Sequence, residues 1–443
     1  MKSNKILLII LLLSFCASLF YSFHFNIKPM VDARAYDKIA FNIANGQGYR
    51  EDLGRDLAHD YAIARVGPLY QYFLAGTYKI FGHHYAPVWI LQALLHALSA
   101  WLVYLTALLI LRSSEKKKTI GLWAAAIFGF YPDLIEISAM VMSETLYLFL
   151  LCLLLYIFFR YRYMEQKNYW LAAGLSLISG LAALARPTVL LFIPVVVFYF
   201  YRKKLWRQGI LFLIILAAVF TPWTIRNYGV YHEFMPFGAA GNFNFWIGNY
   251  HNGNGEQEPT DEQRQFAATE EVKNINSESL ARFKTFLRDY PAEFLKLTVL
   301  RVSKYFSVAR PMGFWFYQTG LGQMIFVFSS ALASCFLFVL GVGGIINSLF
   351  LKKETEREAL WYLSAFGLTV SLLIFVTVVE TRYRFQIYPA LAIFAAYFLV
   401  ALGKLKTWAY NRVLWVVVAL VFSNGIIDLL LNLERFREKI GLF

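Results

Sequence analysis

Long apolar segments recur along the chain, and short polar segments separate them. Eleven of these segments approach the roughly 20 residues with which an α-helix crosses a bilayer. They begin near Ile6, Val88, Ile120, Met142, Trp170, Val189, Gly209, Leu321, Leu360, Phe385 and Val413. Hydrophobic residues make up 59% of the sequence and charged residues only 16%, which is more apolar sequence than a soluble fold needs. The pattern predicts an all-α polytopic membrane protein with about 11 transmembrane helices.

Two polar segments, 28–87 and 226–320, are too long to be simple turns. Long segments outside the membrane commonly carry binding and catalytic residues. We therefore expect an N-terminal membrane module at 1–225 that includes the first polar segment, a cap at 226–320, and further transmembrane helices at 321–443.

The two polar segments contain patterns of their own. Pro68–Phe81 is amphipathic and aromatic but short for a membrane span, so we predict that it lies at the membrane surface. Gly238–Gly255 is rich in Gly and Asn, which is typical of an irregular loop. Ser277–Asp289 and Ala292–Ser307 are predicted as amphipathic helices separated by a proline.

Basic residues predict the topology. The segments expected on one side of the membrane hold 19 Lys and Arg, whereas these segments and the neighbouring Glu358 hold 5 acidic residues. The difference equals the net charge of the whole chain, +14. These segments are Lys2–Lys5, Arg112–Lys118, Arg160–Lys167, Arg202–Arg207, Lys352–Arg357 and Lys404–Arg412. The positive-inside rule makes this side, with the N-terminus, cytoplasmic; we call the opposite side the outer side. Cations spread over short loops suit anionic membrane lipids and do not form a nucleic-acid surface, so no nucleic-acid partner is expected.

The first apolar segment is predicted to be retained as a span. Its apolar run continues to about Phe25 without a small-x-small cleavage site, which argues against a signal peptide. Cys16, Cys152 and Cys335 all lie within apolar segments, so neither a disulfide nor a metal framework is expected from them.

Ionisable residues gather where the apolar segments reach the outer side. They are Asp32, Asp37, Asp133, Glu136, Glu144, Arg186, Arg226 and the charged members of Glu380–Arg384. Such residues are costly at membrane depth and indicate function, although any one of them can be an interfacial anchor. A carboxylate that faces several arginines suits group transfer from a lipid phosphate. It can accept the proton of an attacking hydroxyl while guanidinium groups hold the phosphate.

Several short motifs resemble those of bacterial glycosyltransferases with the GT-C fold. In chain order they are Asp32–Tyr36 with Gly46, Gly48 and Tyr49, Arg65–Tyr70, Phe81–Gly82, Ser143–Leu146, Ala185–Pro187, Pro222–Tyr228, Gly241–Asn242, Trp246–Asn249 and Arg382–Phe385. The ordered set is similar to the branch that contains protein O-mannosyltransferases, the aminoarabinose transferase of lipid A, and RgtA/B/C/D-like transferases of lipopolysaccharide cores. The resemblance runs from Val31 to the tenth apolar segment.

The resemblance implies a polyprenyl-phosphate-sugar donor in the outer leaflet, an acceptor on the outer side, and inversion at the anomeric carbon. Asp32 occupies the position of the family's catalytic aspartate in the first outer loop, so it would be the general base. Many relatives have two adjacent acids there, whereas Ala33 follows Asp32 in this chain. Whether a divalent metal takes part is left open, and no metal ligand is assigned.

Four arginines are candidates for binding the donor phosphate. Arg382 and Arg384 alternate around Tyr383 at the outer end of a span, and their alternative role is that of interfacial anchors. Arg65 and Arg226 are the next candidates, but loop arginines also pair with neighbouring acids.

Other residues are candidates for orienting the substrates: Tyr36, Asp37, Glu144, Arg186 and Trp246. Asp37 and Glu144 can instead be charges at helix starts, and Trp246 can instead cap the membrane. Asp37 lies five residues after Asp32, an offset that does not put the two on one helix face. His83 and His84 are either metal ligands or solvated loop residues.

The predicted function is a plasma-membrane (bacterial inner-membrane) glycosyltransferase whose active site lies on the periplasmic or extracellular side. The acceptor is a glycolipid such as lipopolysaccharide or lipid A, another glycan, or a protein. The alternative is a lipid-linked-sugar flippase or other transporter, which should need a polar path through the bilayer rather than ionisable residues at one face. A membrane scaffold comes third and would not need Asp32.

Overall fold

The computed structural model describes residues 2–65, 67–164, 168–310, 317–349, 353–402, 408–434 and 437. The described residues form eighteen α-helices: α1 Lys2–Phe25, α2 Asp32–Ala44, α3 Leu69–Phe81, α4 Tyr85–Ile110, α5 Lys117–Gly129, α6 Pro132–Ala139, α7 Glu144–Tyr163, α8 Tyr169–Ala185, α9 Ile193–Arg202, α10 Trp206–Tyr231, α11 Ala240–Gly248, α12 Asp261–Thr269, α13 Val272–Asp289, α14 Pro291–Tyr305, α15 Gly320–Leu349, α16 Glu354–Val376, α17 Tyr388–Leu402 and α18 Trp408–Leu431. Short 3-10 helices cover Tyr61–Ala64, Pro187–Phe192 and Thr381–Ile387. Extended pairing within the described ranges is an isolated bridge between Glu256 and Val379.

The all-α membrane architecture is confirmed. Among the described residues, 8 helices are long and apolar enough to cross a membrane, or up to 9 if α5 and α6 form one bent span. The bend between α5 and α6 is 52°, and Pro132 at the start of α6 accounts for it because proline cannot continue the preceding helix. Two further predicted segments form the shorter apolar helices Tyr169–Ala185 and Pro187–Arg202. All eleven predicted segments are therefore helical, but length supports eight or nine spans.

Several predicted basic loops meet at one end of the bundle, which we call the basic end. Arg162 at the end of α7 and Arg202 at the end of α9 both pair with Glu358 in α16. Glu356 accepts a hydrogen bond from the backbone N–H of Ser113 at 3.0 Å. The loop ends of distant helices are thus held together by charge. From the predicted basic segments, Glu165–Lys167, Lys352, Lys404 and Lys406 lie outside the described residues.

The first polar segment, 28–87, folds into α2 and α3, which pack on each other. α3 has 13 residues, of which Tyr70, Leu74 and Tyr78 are buried. It is therefore too short to span a bilayer, and its placement at the membrane surface stays a prediction. The larger of two apolar clusters includes residues of both the N-terminal and the C-terminal membrane parts, such as Phe158 and Tyr362.

The prediction of an irregular loop at Gly238–Gly255 was wrong in its centre, because Ala240–Gly248 is the helix α11. The glycine that ends this helix serves close packing: a Cβ at Gly248 would overlap the backbone carbonyl of Thr377. The two predicted amphipathic helices are confirmed as α13 and α14.

Arg301 of α14 fastens the cap to the membrane bundle. Its side chain is fully buried and donates to the carbonyl oxygens of Phe375 at 2.6 Å and Gly248 at 2.8 Å. It also donates to Oδ1 of Asn249 at 3.0 Å. One guanidinium therefore joins α11, α14 and α16, and it fixes the cap above the ends of the spans opposite the basic end.

Candidate active site

Asp32 is the first residue of α2, and its carboxylate faces two arginines. Arg382 donates from Nη2 to Oδ2 of Asp32 at 2.6 Å, whereas Nη1 of Arg65 is 3.8 Å from Oδ1. The Asp32 side chain is 23% exposed, so the pair is accessible but partly desolvated. The preceding residue, Val31, has φ 49°, a conformation that is strained for a β-branched residue and is commonly retained at functional sites.

Arg382 also faces a second acid. It lies in the 3-10 helix Thr381–Ile387, and its Nη1 is 3.6 Å from Oε1 of Glu144. Glu144 begins α7 and is almost fully buried. Arg186, at the end of α8, donates to the same carboxylate oxygen at 2.5 Å and to Oγ of Ser143 at 3.2 Å. The start of α7, the end of α8 and the 3-10 helix therefore meet around Glu144.

Arg65 brings in an acid that the sequence did not single out. Glu51 accepts from Nε and Nη2 of Arg65 at 2.8 and 2.7 Å, a bidentate arrangement. We define the Asp32 cluster as the three acids and three arginines joined in this way: Asp32, Glu51, Glu144, Arg65, Arg186 and Arg382. Its formal charges cancel.

The cations of the cluster decide the protonation of its exposed acid. Burial opposes ionisation of Asp32, but the positive charges of Arg382, Arg65 and Arg186 outweigh it, so the pKa of this carboxyl lies below its usual value. Asp32 is thus a carboxylate at neutral pH and can accept a proton once its arginine partners are drawn elsewhere.

Two aromatic residues support the cluster. Tyr383 lies between two of its arginines, with the guanidinium carbons of Arg186 and Arg382 at 5.5 and 5.7 Å from the ring centroid. Tyr36 is on the buried side of α2, where its ring packs edge-on against Tyr70. Tyr36 therefore supports the helix that carries Asp32, and Tyr383 contacts the arginines directly.

A cavity of about 320 Å³ opens beside the cluster. Arg65, Arg186 and Tyr383 line one side of it, and three asparagines also contribute to its lining: Asn242, Asn244 and Asn276. Its other walls are mostly apolar and belong to α11, α16 and the segment before α11, among them Phe234, Phe237, Phe245, Leu373 and Ile374. We call it the apolar cavity. It combines cationic groups with an apolar surface, as a lipid-phosphate ligand requires.

A second cavity, of about 440 Å³, lies on the other side of the Arg65–Glu51 pair. Glu51 is in its wall, together with groups of both charges and two aromatic rings: Lys38, Asp52, Arg55, Arg264, Tyr61 and Phe243. We call it the polar cavity. Charged and aromatic groups together suit a hydroxyl-rich ligand such as a carbohydrate.

Asp37 is not part of the Asp32 cluster. Its carboxylate accepts from the hydroxyl groups of Tyr78 at 2.6 Å and Tyr85 at 3.0 Å, and Nε2 of His83 lies 2.8 Å from it. His83 thus has a protein partner and is not merely solvated.

Within the described ranges, no group of three or more His, Cys, Asp and Glu side chains is arranged to hold a metal ion. Each acid of the Asp32 cluster already pairs with an arginine, so these residues do not fit a metal site as arranged.

Arg384 points away from Arg382. It is buried and donates to the carbonyl oxygens of Ser307 at 2.7 Å and Arg310 at 2.9 Å, and to Oγ of Ser334 at 3.2 Å. A 3-10 helix turns about 120° per residue, so side chains two positions apart cannot share a face. The expected alternation of both arginines around one phosphate is not what the structure has.

Arg226 lies in an aromatic setting elsewhere. Its guanidinium carbon is 5.3 Å from the ring of Trp223, 5.5 Å from that of Tyr49 and 5.6 Å from that of Tyr231. It also donates to the carbonyl of Tyr49 at 3.1 Å. These contacts join α10 to the loop after α2, so in this structure Arg226 positions the first polar segment.

Trp246 lies within the cap. It is buried in α11, packs edge-on against Phe266, and has the guanidinium of Arg282 at 4.5 Å from its ring centroid.

The structure brings five of the ten predicted site residues into one cluster: Asp32, Arg65, Glu144, Arg186 and Arg382. Glu51 was missed because nothing in the local sequence indicates which arginine it meets.

A family model described as dolichyl-phosphate-mannose-protein mannosyltransferase matches residues 65–225. No curated protein matches the chain.

Solved structures match over most of the chain. The Archaeoglobus fulgidus oligosaccharyltransferase AglB, in complex with an inhibitory peptide and a dolichol-phosphate, has a TM-score of 0.52 at 15% identity, covering 95% of this chain and 55% of that one. The apo form of the Archaeoglobus fulgidus enzyme has a TM-score of 0.53 at 14% identity, with the same coverage. This chain thus spans about half the length of the archaeal enzyme. ArnT from Cupriavidus metallidurans, bound to undecaprenyl phosphate, matches at a TM-score of 0.38 and 14% identity over 86% of this chain and 77% of that one, too low a score to support an inference.

Proposed function

Because the chain has the membrane fold of the GT-C glycosyltransferases, we propose that it transfers a sugar from a polyprenyl-phosphate donor to an acceptor on the outer side of the plasma membrane. The proposal rests on one observation: the Asp32 carboxylate contacts Arg382 and lies near Arg65, which lines the apolar cavity. A base, phosphate-binding cations and an apolar surface thus lie within one site.

In this proposal Asp32 is the general base. Its carboxylate removes the proton of an acceptor hydroxyl as the hydroxyl oxygen attacks the anomeric carbon of the donor sugar. The bond between that carbon and the phosphate oxygen breaks, and the polyprenyl phosphate leaves with the electron pair. Attack from the face opposite the leaving phosphate inverts the anomeric carbon. The leaving phosphate needs no proton at neutral pH, so one base is sufficient.

The arginines of the cluster hold the donor phosphate. The resting cluster is neutral, and the donor phosphate adds a negative charge that competes with Asp32 for Arg382 and Arg65. As these guanidinium groups turn toward the phosphate, Asp32 loses the partners that lower its pKa. Donor binding would therefore make Asp32 a stronger base at the step that requires one.

The two cavities suit the two substrates. The apolar cavity, with arginines on one side, would take the sugar phosphate and the first part of the prenyl chain. The polar cavity would take the acceptor, whose class we leave as a glycolipid, glycan or protein. The positive-inside pattern supports a cytoplasmic N-terminus and a periplasmic or extracellular site.

Variants that fill one cavity at a time test this assignment. Gly241 lines the apolar cavity, and a Cβ there meets no atom within 4 Å, so Gly241→Phe should fill the cavity without breaking the fold. Ala268 is an exposed residue in the wall of the polar cavity, and Ala268→Trp should fill that one.

The assay supplies membranes containing the full chain with radiolabelled sugar on a panel of polyprenyl phosphates. It counts label released to water and label transferred to membrane glycoconjugates. We expect Gly241→Phe to abolish both, and Ala268→Trp to abolish only transfer to glycoconjugates. Failure of the wild type to cleave any donor, or equal effects of both variants on the two products, would contradict the proposal.

A further inference from the structure

The Arg65–Glu51 pair separates the two cavities, because Arg65 lines the apolar cavity and Glu51 lines the polar one. We propose that Glu51 is a positioning residue that holds Arg65 back from Asp32 and thereby limits how much of the Arg65 charge reaches the base and the donor phosphate. The inference rests on the proposed function, since it assigns Glu51 a role in the same reaction.

The distances show that Arg65 forms hydrogen bonds with Glu51 and only a longer ion pair with Asp32. Its Nε and Nη2 donate to Glu51 at 2.8 and 2.7 Å, whereas its Nη1 stays 3.8 Å from Asp32. By contrast, Arg382 reaches Asp32 at 2.6 Å. Arg65 is therefore close enough to act on Asp32 through charge but does not form a hydrogen bond with it.

Glu51 is itself held in place by a buried anchor. The carboxylate of Asp60 accepts from the backbone N–H of Glu51 at 3.0 and 3.1 Å, from that of Asp52 at 2.9 Å and from that of Ala62 at 2.8 Å. Asp60 is 1% exposed. The backbone at Glu51 therefore cannot follow Arg65 if the guanidinium moves, which is what a residue that restrains Arg65 requires.

Removing the charge of Glu51 should have two opposite effects on the site. In Glu51→Gln only one oxygen remains to accept from Arg65 and the negative charge is gone, so the bidentate pair is lost and the guanidinium can turn toward Asp32 and toward a bound phosphate. The donor phosphate then gains a cation and binds more tightly. Asp32 gains a partner and becomes a weaker base, so turnover falls. A merely damaged site would lose donor affinity as well as turnover.

The experiment uses the full-length protein in lipid nanodiscs and compares Glu51→Gln with Glu51→Asp and Glu293→Gln. Glu293 is a matched control in the cap, because its side chain is 19% exposed, as is that of Glu51, and it likewise joins two segments by accepting from the N–H of Asn252 at 2.7 Å. Two quantities are measured: the affinity for polyprenyl monophosphate without sugar, and the kcat and KM for the cleaved polyprenyl-phosphate-sugar donor.

For Glu51→Gln we expect kcat to fall about tenfold while the affinity for polyprenyl monophosphate rises about threefold. Glu51→Asp keeps the charge and should recover part of kcat, and Glu293→Gln should resemble the wild type. A lower or unchanged affinity in Glu51→Gln would overturn the inference. If the wild type cleaves no donor, the proposed function fails, and the affinity measurement still decides whether Glu51 restrains Arg65.

Discussion

Arg382 and Arg384 are neighbours in sequence with different surroundings, and the account predicts that their replacement has different effects. Arg382 faces Asp32 and Glu144 within the Asp32 cluster. Arg384 is buried against two backbone carbonyls and one hydroxyl. Replacing each by Gln removes one guanidinium from the same 3-10 helix.

The expected magnitudes follow from these contacts. A hydrogen-bond donor aimed at a developing oxyanion contributes about 10²- to 10³-fold to the rate, so Arg382→Gln should lower kcat/KM for the polyprenyl-phosphate-sugar substrate by about that factor. Arg384 makes three hydrogen bonds, and Gln can keep one of them. At about 1.5–3 kcal/mol for each hydrogen bond from a charged group, the loss of two should cost Arg384→Gln about 3–6 kcal/mol of stability. Donor cleavage per folded molecule should stay within about threefold of the wild type, since Arg384 contacts none of the three acids of the Asp32 cluster.

The assay combines two measurements on each purified variant. Thermal unfolding is monitored as the fraction of protein that stays monodisperse in size-exclusion chromatography after heating. Donor cleavage is measured separately and divided by the monodisperse fraction of the same sample. We expect a lower unfolding midpoint for Arg384→Gln with near-normal cleavage, and the reverse for Arg382→Gln. Equal loss of cleavage by the folded fractions of both variants would refute the predicted difference, as would full cleavage by Arg382→Gln.

Two further predictions concern the cluster and its support. Arg65→Gln removes a cation that lowers the pKa of Asp32. The pKa of Asp32 should therefore rise, and its carboxylate should become protonated at a higher pH than in the wild type. The acid limb of the pH profile of kcat/KM should move to higher pH, and an unchanged limb would disprove the coupling. Gly67→Ala would put a Cβ into the backbone carbonyl of Leu184, so it should cost about 1–3 kcal/mol in thermal unfolding. Gly76→Ala, where a Cβ meets nothing within 4 Å, is the control and should not destabilise.

The sequence predicted the helices because membrane-spanning segments must bury their backbone polar groups within helices and therefore appear as long apolar runs. It also predicted that Asp37 would not share a helix face with Asp32, although Asp37 was still a candidate for orienting the substrates. Five residues of an α-helix turn about 500°, which leaves Asp37 about 140° from Asp32, and in the structure Asp37 meets Tyr78 and His83 instead.

The remaining features depend on contacts between distant parts of the chain. The directions of Arg382 and Arg384 diverge because the segment is a 3-10 helix rather than an extended strand, which the sequence pattern does not reveal. The pairing of Glu51 with Arg65 depends on the loop that Asp60 closes. The helix α11 was missed because glycines that allow close packing were interpreted as loop residues.

The measurement that tests the central claim most directly compares Asp32→Asn with Asp37→Asn at equal expression. Both residues are aspartates of α2, and only Asp32 faces the arginines of the cluster. Transfer of radiolabelled sugar from polyprenyl phosphate is counted in membranes that carry each variant. The account predicts that Asp32→Asn abolishes transfer and that Asp37→Asn retains most of it. Full transfer by Asp32→Asn would contradict the assignment of Asp32 as the base.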